Sequence, residues 1–331
     1  MAEPEELRAH LADVYGFRAE RMFNLDEGVV LLRRDDGPSW VARVFGPGRP
    51  EVAVRGDAAV LDWLAAVEYP AERCAAGEPV SRLGDATVLV SEAVAAVPRT
   101  QRRSAIKDAG GIRGLGALLG RLHTLERPEA GAGRPGGGAG WPSGGAGRPG
   151  GGWHHMADGL PADELAVAES WLEDAEADAS FRDLAHYSAL AEALDFADAC
   201  GGLPEAFTHP DFALPNVVAT AEPAMVLVDW AGAGVGPRLW SLAFLLCAEG
   251  SKDLRRVELA LSGYCRQVTL EPEELARLEG AICARPLVLD IWRMHNRGMG
   301  AADAARRADE VRELARAIAA RARAAIARHG D

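Results

Sequence analysis

The most informative part of the sequence is Thr208-His209-Pro210-Asp211-Phe212-Ala213-Leu214-Pro215-Asn216, with Val226-Leu227-Val228-Asp229-Trp230 after it. Its skeleton is H-x-D-x4-N, a short hairpin, and a hydrophobic strand that ends in aspartate. Phosphoryl transfer from a nucleotide requires a carboxylate that accepts the proton of the attacking hydroxyl, and oxygen ligands for Mg²⁺. Asp211 fits the first role. Asn216 and Asp229 fit the second, because a hairpin between them would bring both beside one loop.

A purely structural interpretation of this stretch also exists. Aspartate and asparagine are common turn residues, so H-x-D-x4-N alone is a weak signal. The hairpin and the strand-terminal aspartate, in this order, make it stronger. His209 belongs to the same predicted catalytic loop, where we expect it to orient the backbone through a hydrogen bond rather than to transfer a proton.

The rest of the chain predicts an α+β fold with two unequal parts. Strand patterns at 29–33, 40–45, 79–83 and 86–91 surround a helix at 51–66, which predicts a small antiparallel β lobe over residues 1–93. Helical periodicity then dominates residues 94–331, at 111–125, 162–199, 253–270, 272–296 and 301–328, with a strand pair at 216–219 and 225–229. The Gly-rich segment 131–152 follows a helix and lacks GK[ST], so it predicts a flexible surface loop and not a phosphate-binding loop.

Composition excludes several classes of protein. The net charge of −13 argues against a nucleic-acid binder. No apolar run is long enough to span a membrane, the N-terminus is polar and acidic, and the five cysteines are scattered. We therefore expect a cytoplasmic protein with reduced thiols. Only Lys107 and Lys252 are lysines among the 36 basic residues, so the first hundred residues contain no lysine.

On these motifs the chain resembles the aminoglycoside phosphotransferase/choline kinase family, which has the two-lobed protein-kinase-like fold. The resemblance runs from about Tyr15 to about Gly300, and the segment 115–125 is similar to the family's first large-lobe helix. The family's catalytic loop, H-G-D-x4-N, matches 209–216, and its strand ending in D-W or D-F matches 229–230. The resemblance implies Asp211 as catalytic base and Asn216 and Asp229 as Mg²⁺ ligands. It further implies that Ser91-Glu92-Ala93-Val94 is the hinge whose backbone pairs with adenine.

The chain departs from the family pattern at several positions. Pro210 replaces the usual glycine of the catalytic loop, and Ser241 stands where many relatives have an aspartate that braces this loop. The first hairpin has only Gly28 as a glycine. Arg43 occupies the place of the phosphate-contacting lysine, and we expect it to pair with Asp57 on the following helix, with Glu51 as the less favoured partner.

The resemblance implies an ATP- or GTP-dependent, Mg²⁺-requiring O-phosphotransferase that acts on a hydroxylated small molecule. The acidic segment 157–200 would attract a cationic acceptor such as an aminoglycoside, which would make the protein an antibiotic-resistance enzyme, but it also fits a solvated helix face. Trp153, His154, His155 and Trp171 could line an acceptor pocket or pack in the core. The alternatives are a metabolic kinase for an amino alcohol, sugar or nucleoside-like acceptor, a catalytically weak nucleotide-binding regulator, and a partner-binding protein that uses the Ala/Arg-rich helix 301–328. A monomer and a homodimer are both compatible with the sequence.

Overall fold

The computed structural model describes residues 3–34, 36–98, 100, 106–126, 161–177, 184–222 and 225–330. The predicted loop 131–152 and residues 153–155 lie outside them. Two compact units divide the chain. The N-terminal unit contains the described residues up to 100 and the segment 215–233. The C-terminal unit contains the described residues of 106–126, 161–214 and 234–330.

Helices and strands alternate in the first third of the described chain, and helices dominate the remainder. In chain order the elements are α1 (Pro4–Tyr15), β1 (Arg21–Asp26), β2 (Val29–Arg33), β3 (Trp40–Phe45), α2 (Glu51–Ala66), β4 (Val80–Leu83), β5 (Ala86–Glu92), α3 (Ala109–His123), α4 (Pro161–Ala177), α5 (Leu184–Phe196), β6 (Glu205–Thr208), β7 (Val217–Ala219), β8 (Met225–Leu227), β9 (Gly234–Pro237), α6 (Arg238–Gly250), α7 (Leu254–Tyr264), α8 (Pro272–Arg297) and α9 (Ala301–Gly330). A 3₁₀ turn, Leu214–Asn216, precedes β7.

The N-terminal unit is built on a five-stranded antiparallel sheet in the order β1-β2-β3-β5-β4. The predicted strands and α2 are confirmed, and β1 is an additional strand. Side chains alternate between the two faces. Trp40 and Val90 pack with α1 on one face, whereas Leu89 packs with Val54 of α2 on the other. Arg43 is the cross-strand partner of Leu89, so it lies on the face that α2 covers.

The hairpin β7–β8 belongs to the N-terminal unit although it is far away in the chain. The Leu227 N–H donates to Pro70 O at 2.9 Å, and the Glu72 N–H donates to Leu227 O at 3.2 Å. The segment 70–72, just after α2, therefore pairs with the strand that leads to Asp229. This pairing brings residues more than 150 positions apart into one network.

The C-terminal unit is mostly helical in its described part, as predicted, with the short pair β6–β9 in addition. The described residues of the predicted helix 162–199 include α4 and α5, and the predicted helix 253–270 ends at Tyr264. Helices α3 and α7 approach closely at two glycines, because a Cβ on Gly116 would lie 1.9 Å from Ala260 O and one on Gly263 1.9 Å from Arg113 O. Among the described residues, no helix combines the length and apolarity needed to cross a membrane.

Candidate active site

Arg43 is the centre of a buried polar network in the N-terminal unit. Its side chain points from β3 toward the α2 face and is 6% exposed as a residue. Nη1 donates to Glu72 Oε2 at 3.0 Å and to Ser91 Oγ at 3.4 Å, and Nε donates to Asp229 Oδ1 at 3.2 Å. Burial alone would lower the pKa of Arg43, but Glu72 and Asp229 outweigh it and raise this pKa above its usual value. The guanidinium therefore stays charged.

The predicted pairing of Arg43 with Asp57 is wrong. Asp57 lies on the buried face of α2, where it pairs with Arg49, a residue just before the helix. Arg49 Nη2 is 2.7 Å from Asp57 Oδ2. The carboxylate that Arg43 meets is that of Glu72, which follows α2. Glu51 is not the partner either, because it faces the surface and pairs with Arg55 one turn along the helix.

Residues 229–232, which we call the metal loop because the sequence predicts a Mg²⁺ ligand at Asp229, follow β8 and are held by hydrogen bonds at both ends. The Asp229 N–H donates to Glu72 Oε1 at 2.8 Å, and the Gly232 N–H donates to Asp57 Oδ1 at 3.1 Å. Both residues have positive φ, +70° and +84°. Trp230 is buried between them, with its indole N–H on Leu227 O. The loop conformation is therefore fixed by groups inside the N-terminal unit.

The carboxylate of Asp229 emerges from this network toward solvent. Its side chain is 50% exposed, and Arg43 engages only Oδ1, so within the described part of the chain no hydrogen bond uses Oδ2. Asn216 lies next to it along the hairpin, because its backbone oxygen accepts the Val228 N–H at 2.9 Å. Carboxylate and amide oxygens are ligands suited to Mg²⁺, which takes others from substrate phosphates and water. The donor set at this position therefore fits a magnesium ion.

Three carboxylates of the described chain lie at the metal loop, those of Asp57, Glu72 and Asp229, and they pair with the guanidiniums of Arg43 and Arg49. Of these three carboxylates, that of Asp229 faces solvent and the other two are buried. The bonds of Arg43 to described residues use Nε and Nη1 and leave Nη2 for a further acceptor, such as a phosphate oxygen.

The predicted hinge Ser91–Val94 is partly occupied by other hydrogen bonds. The Glu92 N–H donates to Arg73 O and the Ala93 N–H to Ser39 O, each at 2.8 Å. The Ser91 hydroxyl is buried and donates to Glu72 Oε2 at 2.7 Å. Neither the Glu92 nor the Ala93 amide is available to adenine. Among the described residues no hydrogen bond engages the Val94 N–H, so Val94 is the hinge position that can donate.

The predicted catalytic loop begins in the C-terminal unit, where β6 ends at Thr208. His209 is buried, and its Nδ1 accepts the Asp211 N–H at 3.0 Å, which is the orienting hydrogen bond to the backbone that the sequence predicts. Ser241, also buried, has its hydroxyl 3.5 Å from His209 O. The serine at this position thus contacts the loop through a long hydrogen bond. Pro210 lies in the turn that leads to Asp211.

The described part of the acidic segment 157–200 fits a helix face in water. On α4, Glu169, Glu173 and Glu176 are exposed, whereas Glu164 is buried and paired with Arg285. The ring of Trp171 stacks on that of His295 at 5.4 Å. Within the described residues, no group of three or more His, Cys, Asp or Glu side chains could hold a metal ion.

Sequence reasoning missed Glu72 and Arg49. Both lie in irregular segments, after and before α2, where no periodicity indicates which way a side chain points. The one usable signal was Asp57 itself. This carboxylate lies in the apolar stripe of α2, with Val54, Leu61 and Leu64. Because a buried charge is normally paired, its position predicts a cationic partner inside the unit.

A comparison with protein families decides the assignment. The model of the phosphotransferase enzyme family matches residues 26–279, which is most of the chain and includes the predicted catalytic loop and the metal loop. The chain belongs to this family. The prediction of a phosphotransferase enzyme is thereby confirmed. No curated protein matches the chain significantly.

Solved structures confirm the fold class. An amicoumacin kinase in complex with AMP-PNP, Ca²⁺ and Ami is 14% identical with a TM-score of 0.63, covering 95% of this chain and 93% of that one. A microcompartment-associated aminopropanol kinase is 19% identical with a TM-score of 0.59, covering 96% of each chain. The choline kinase LicA from Streptococcus pneumoniae is 14% identical with a TM-score of 0.57, covering 93% of this chain and 98% of that one. At these identities the phosphotransferase shares the kinase-like fold with them.

Proposed function

We propose that this phosphotransferase transfers the γ-phosphate of ATP or GTP to a hydroxyl group of a small molecule, with Mg²⁺ as cofactor. The observation that carries the proposal is the network of Arg43, Glu72 and Asp229. It presents one cationic group with a spare N–H and one solvent-facing carboxylate with a spare oxygen. A metal–phosphate complex requires these two complementary groups.

Each residue then has a defined role. Arg43 would bind a phosphate oxygen through Nη2, while Asp229 and Asn216 would hold the ion. Bound Mg²⁺ would neutralise charge on the phosphates. Asp211 would accept the proton of the attacking hydroxyl, and the hydrogen bond from its N–H to His209 would fix its backbone. Val94 would pair with the adenine or guanine ring.

The acceptor is proposed by class. The similar structures include kinases named for amicoumacin, aminopropanol and choline. We infer a hydroxylated small molecule that also carries a cationic amine. An amine-bearing antibiotic, such as an aminoglycoside, and a metabolic amino alcohol both meet this description. The first would make the protein an antibiotic-resistance enzyme, and the second a metabolic kinase.

A nucleotide-consumption screen tests the proposal. Purified protein with Mg²⁺ and either ATP or GTP is incubated with aminoglycosides, spectinomycin, aminopropanol, choline and sugars, and the phosphorylated product is identified by mass spectrometry. Asp211→Asn is the matched control. It should lower turnover by about 10²- to 10⁴-fold, the usual contribution of a general base, with nucleotide affinity unchanged.

Three outcomes are distinguishable. Turnover that depends on the acceptor and on Asp211 supports the proposal. Mg²⁺–nucleotide binding without transfer to any acceptor would favour a nucleotide-binding regulator. If Asp211→Asn retained full activity, the assignment of the base would be wrong.

A further inference from the structure

The metal loop is held by two carboxylates that are themselves held by arginines. At its start, Glu72 binds the Asp229 N–H and Arg43. At its end, Asp57 binds the Gly232 N–H and Arg49. Arg43 and Glu72 contact Asp229, the proposed cation ligand, directly. The Arg49–Asp57 pair contacts the loop at Gly232 instead, and the proposed function gives it no role.

The Arg49–Asp57 ion pair is deeply buried in the N-terminal unit. Both residues are 5% exposed, and the guanidinium also lies over the Phe45 ring at 5.0 Å. Charges buried in this way lose their hydration, and an apolar pair of similar volume would stabilise the fold as well or better. What an apolar pair could not do is accept the Gly232 N–H. That hydrogen bond is the specific result of placing a carboxylate at position 57.

We propose that Arg49 and Asp57 position the metal loop for the cation: Arg49 orients Asp57, Asp57 fixes Gly232, and the loop so anchored holds the carboxylate of Asp229 in its binding orientation. Asp229 has a left-handed backbone, which is uncommon for a non-glycine residue but which aspartate adopts more readily than most. Two anchors, one at each end of four residues, impose this conformation. The inference rests on the proposed function in assigning Asp229 to the cation. Arg49 is a positioning residue in this proposal, because it acts on the loop through Asp57.

The experiment measures cation binding and loop protection in the full-length chain. Mn²⁺ is titrated in the presence of a non-hydrolysable ATP analogue and followed by electron paramagnetic resonance, and hydrogen exchange of the Gly232 amide is followed by NMR. In Arg49→Met we expect Mn²⁺ affinity to fall about 10- to 100-fold, as for other outer partners of metal ligands, and the Gly232 amide to exchange faster. Arg49→Lys, which keeps the charge beside Asp57, should restore part of both.

Arg55→Met is the matched control. Arg55 lies in the first turns of α2, and its ion pair with Glu51 is exposed, so the same substitution there should change neither measurement. Arg49→Met alone leaves the Asp57 carboxylate buried without this cation, so the single variant could lose affinity because it misfolds. A second variant distinguishes misfolding from the loss of positioning. Arg49→Met/Asp57→Leu removes both charges, should fold by circular dichroism, and should lose Mn²⁺ affinity and Gly232 protection as the single variant does.

The two ways of failing differ. If the wild-type protein binds no Mn²⁺–nucleotide, the proposed function fails. If the wild type binds it, and both Arg49→Met and the double variant bind with unchanged affinity and unchanged Gly232 exchange, the positioning role is overturned and the proposed function stands.

Discussion

Nη1 of Arg43 lies 3.0 Å from Oε2 of Glu72, a carboxylate contributed by the segment after α2 and not by the helix. This contact places the second oxygen of Glu72 on the Asp229 N–H. One side chain therefore connects the β3 cation to the backbone of the metal loop. The connection depends on two nitrogens of the guanidinium that donate in different directions: Nη1 donates to Glu72 and Nε donates to Asp229.

Replacement of Arg43 by lysine, the residue usual in the family, should impair this protein. An ammonium is a compact charge on a flexible stem and cannot reproduce the fixed geometry with which a guanidinium bridges two carboxylates and still offers a third N–H. We expect Arg43→Lys to lower kcat/KM for the nucleotide about tenfold and Arg43→Met about 10²-fold, equivalent to roughly 1.4 and 2.7 kcal/mol of transition-state stabilisation. Steady-state kinetics with varied nucleotide checks this. An unchanged kcat/KM in Arg43→Lys would refute the bridging argument.

Measurements of unfolding free energy and of kcat/KM can distinguish a structural role of Arg43 from the proposed role in phosphate binding. Arg43→Met leaves Glu72 buried with only the Ser91 hydroxyl and the Asp229 N–H as partners, which should cost about 3 kcal/mol of unfolding free energy. Arg43→Met/Glu72→Gln removes the uncompensated charge, so urea denaturation should show part of this stability restored. Its kcat/KM should stay as low as in the single variant, because the N–H that we propose binds phosphate is still missing.

The fold was predictable where local patterns report burial. The apolar stripe Leu115, Leu118, Leu119 and Leu122 is buried in α3, and the alternating strands β3 and β5 pair as expected. Strand β1 was not predicted, because the side chains of this edge strand are mostly exposed on both faces, which removes the alternation of buried and exposed residues. Strands β6 and β9 are four residues each and distant in sequence, so their pairing has no local signal.

For the site, the order of a loop and a hairpin predicts roles for Asp211, Asn216 and Asp229, and these roles stay predictions. The structure places Asn216 beside the strand that leads to Asp229. Glu72 and Arg49 do not follow, because their positions depend on how the irregular segments beside α2 pack against β8 and the metal loop. The partner of Arg43 was therefore predicted on the helix, at Asp57, when it lies beyond the helix.

The hinge makes a prediction about a single amide. Because the Glu92 and Ala93 amides already donate to backbone oxygens, Val94→Pro should remove the N–H that we propose pairs with the nucleotide base. Loss of one neutral hydrogen bond is worth about 0.5–1.5 kcal/mol, so nucleotide affinity should fall roughly two- to tenfold. Calorimetry measures it. Ala96→Pro, two residues on, serves as the control, and an equal loss in both variants would show a general backbone effect instead.

The close contact between α3 and α7 predicts that a larger residue at Gly263 destabilises the fold. Gly263→Ala would place a methyl carbon 1.9 Å from the backbone oxygen of Arg113. Because the clash is with backbone and not with a flexible side chain, the two helices would have to move apart to relieve it. We expect a loss of about 3 kcal/mol in unfolding free energy, at the upper end for overpacking. Gly110→Ala in the exposed first turn of α3 is the control. It has room for a methyl group and should be neutral or stabilise by up to about 1 kcal/mol through helix propensity. Thermal and urea denaturation compare them, and equal stabilities would contradict the close approach.

His123 makes the stability of this phosphotransferase depend on pH. Burial, with the charge of Arg238 as a second cause, lowers the pKa of His123 to about 3, and its Nδ1 is 2.9 Å from the Tyr264 hydroxyl. In the unfolded chain this pKa is about 6.5, so between these two values the unfolded state binds more protons and stability falls as the pH falls. From about pH 7.5 to 5.5 the loss due to this side chain should be about 1.4 kcal/mol. His123→Asn can keep a hydrogen bond to Tyr264 without titrating. Urea denaturation at both pH values should show the wild type losing about 1.4 kcal/mol more than the variant, whereas parallel losses would mean that His123 is protonated in the folded protein.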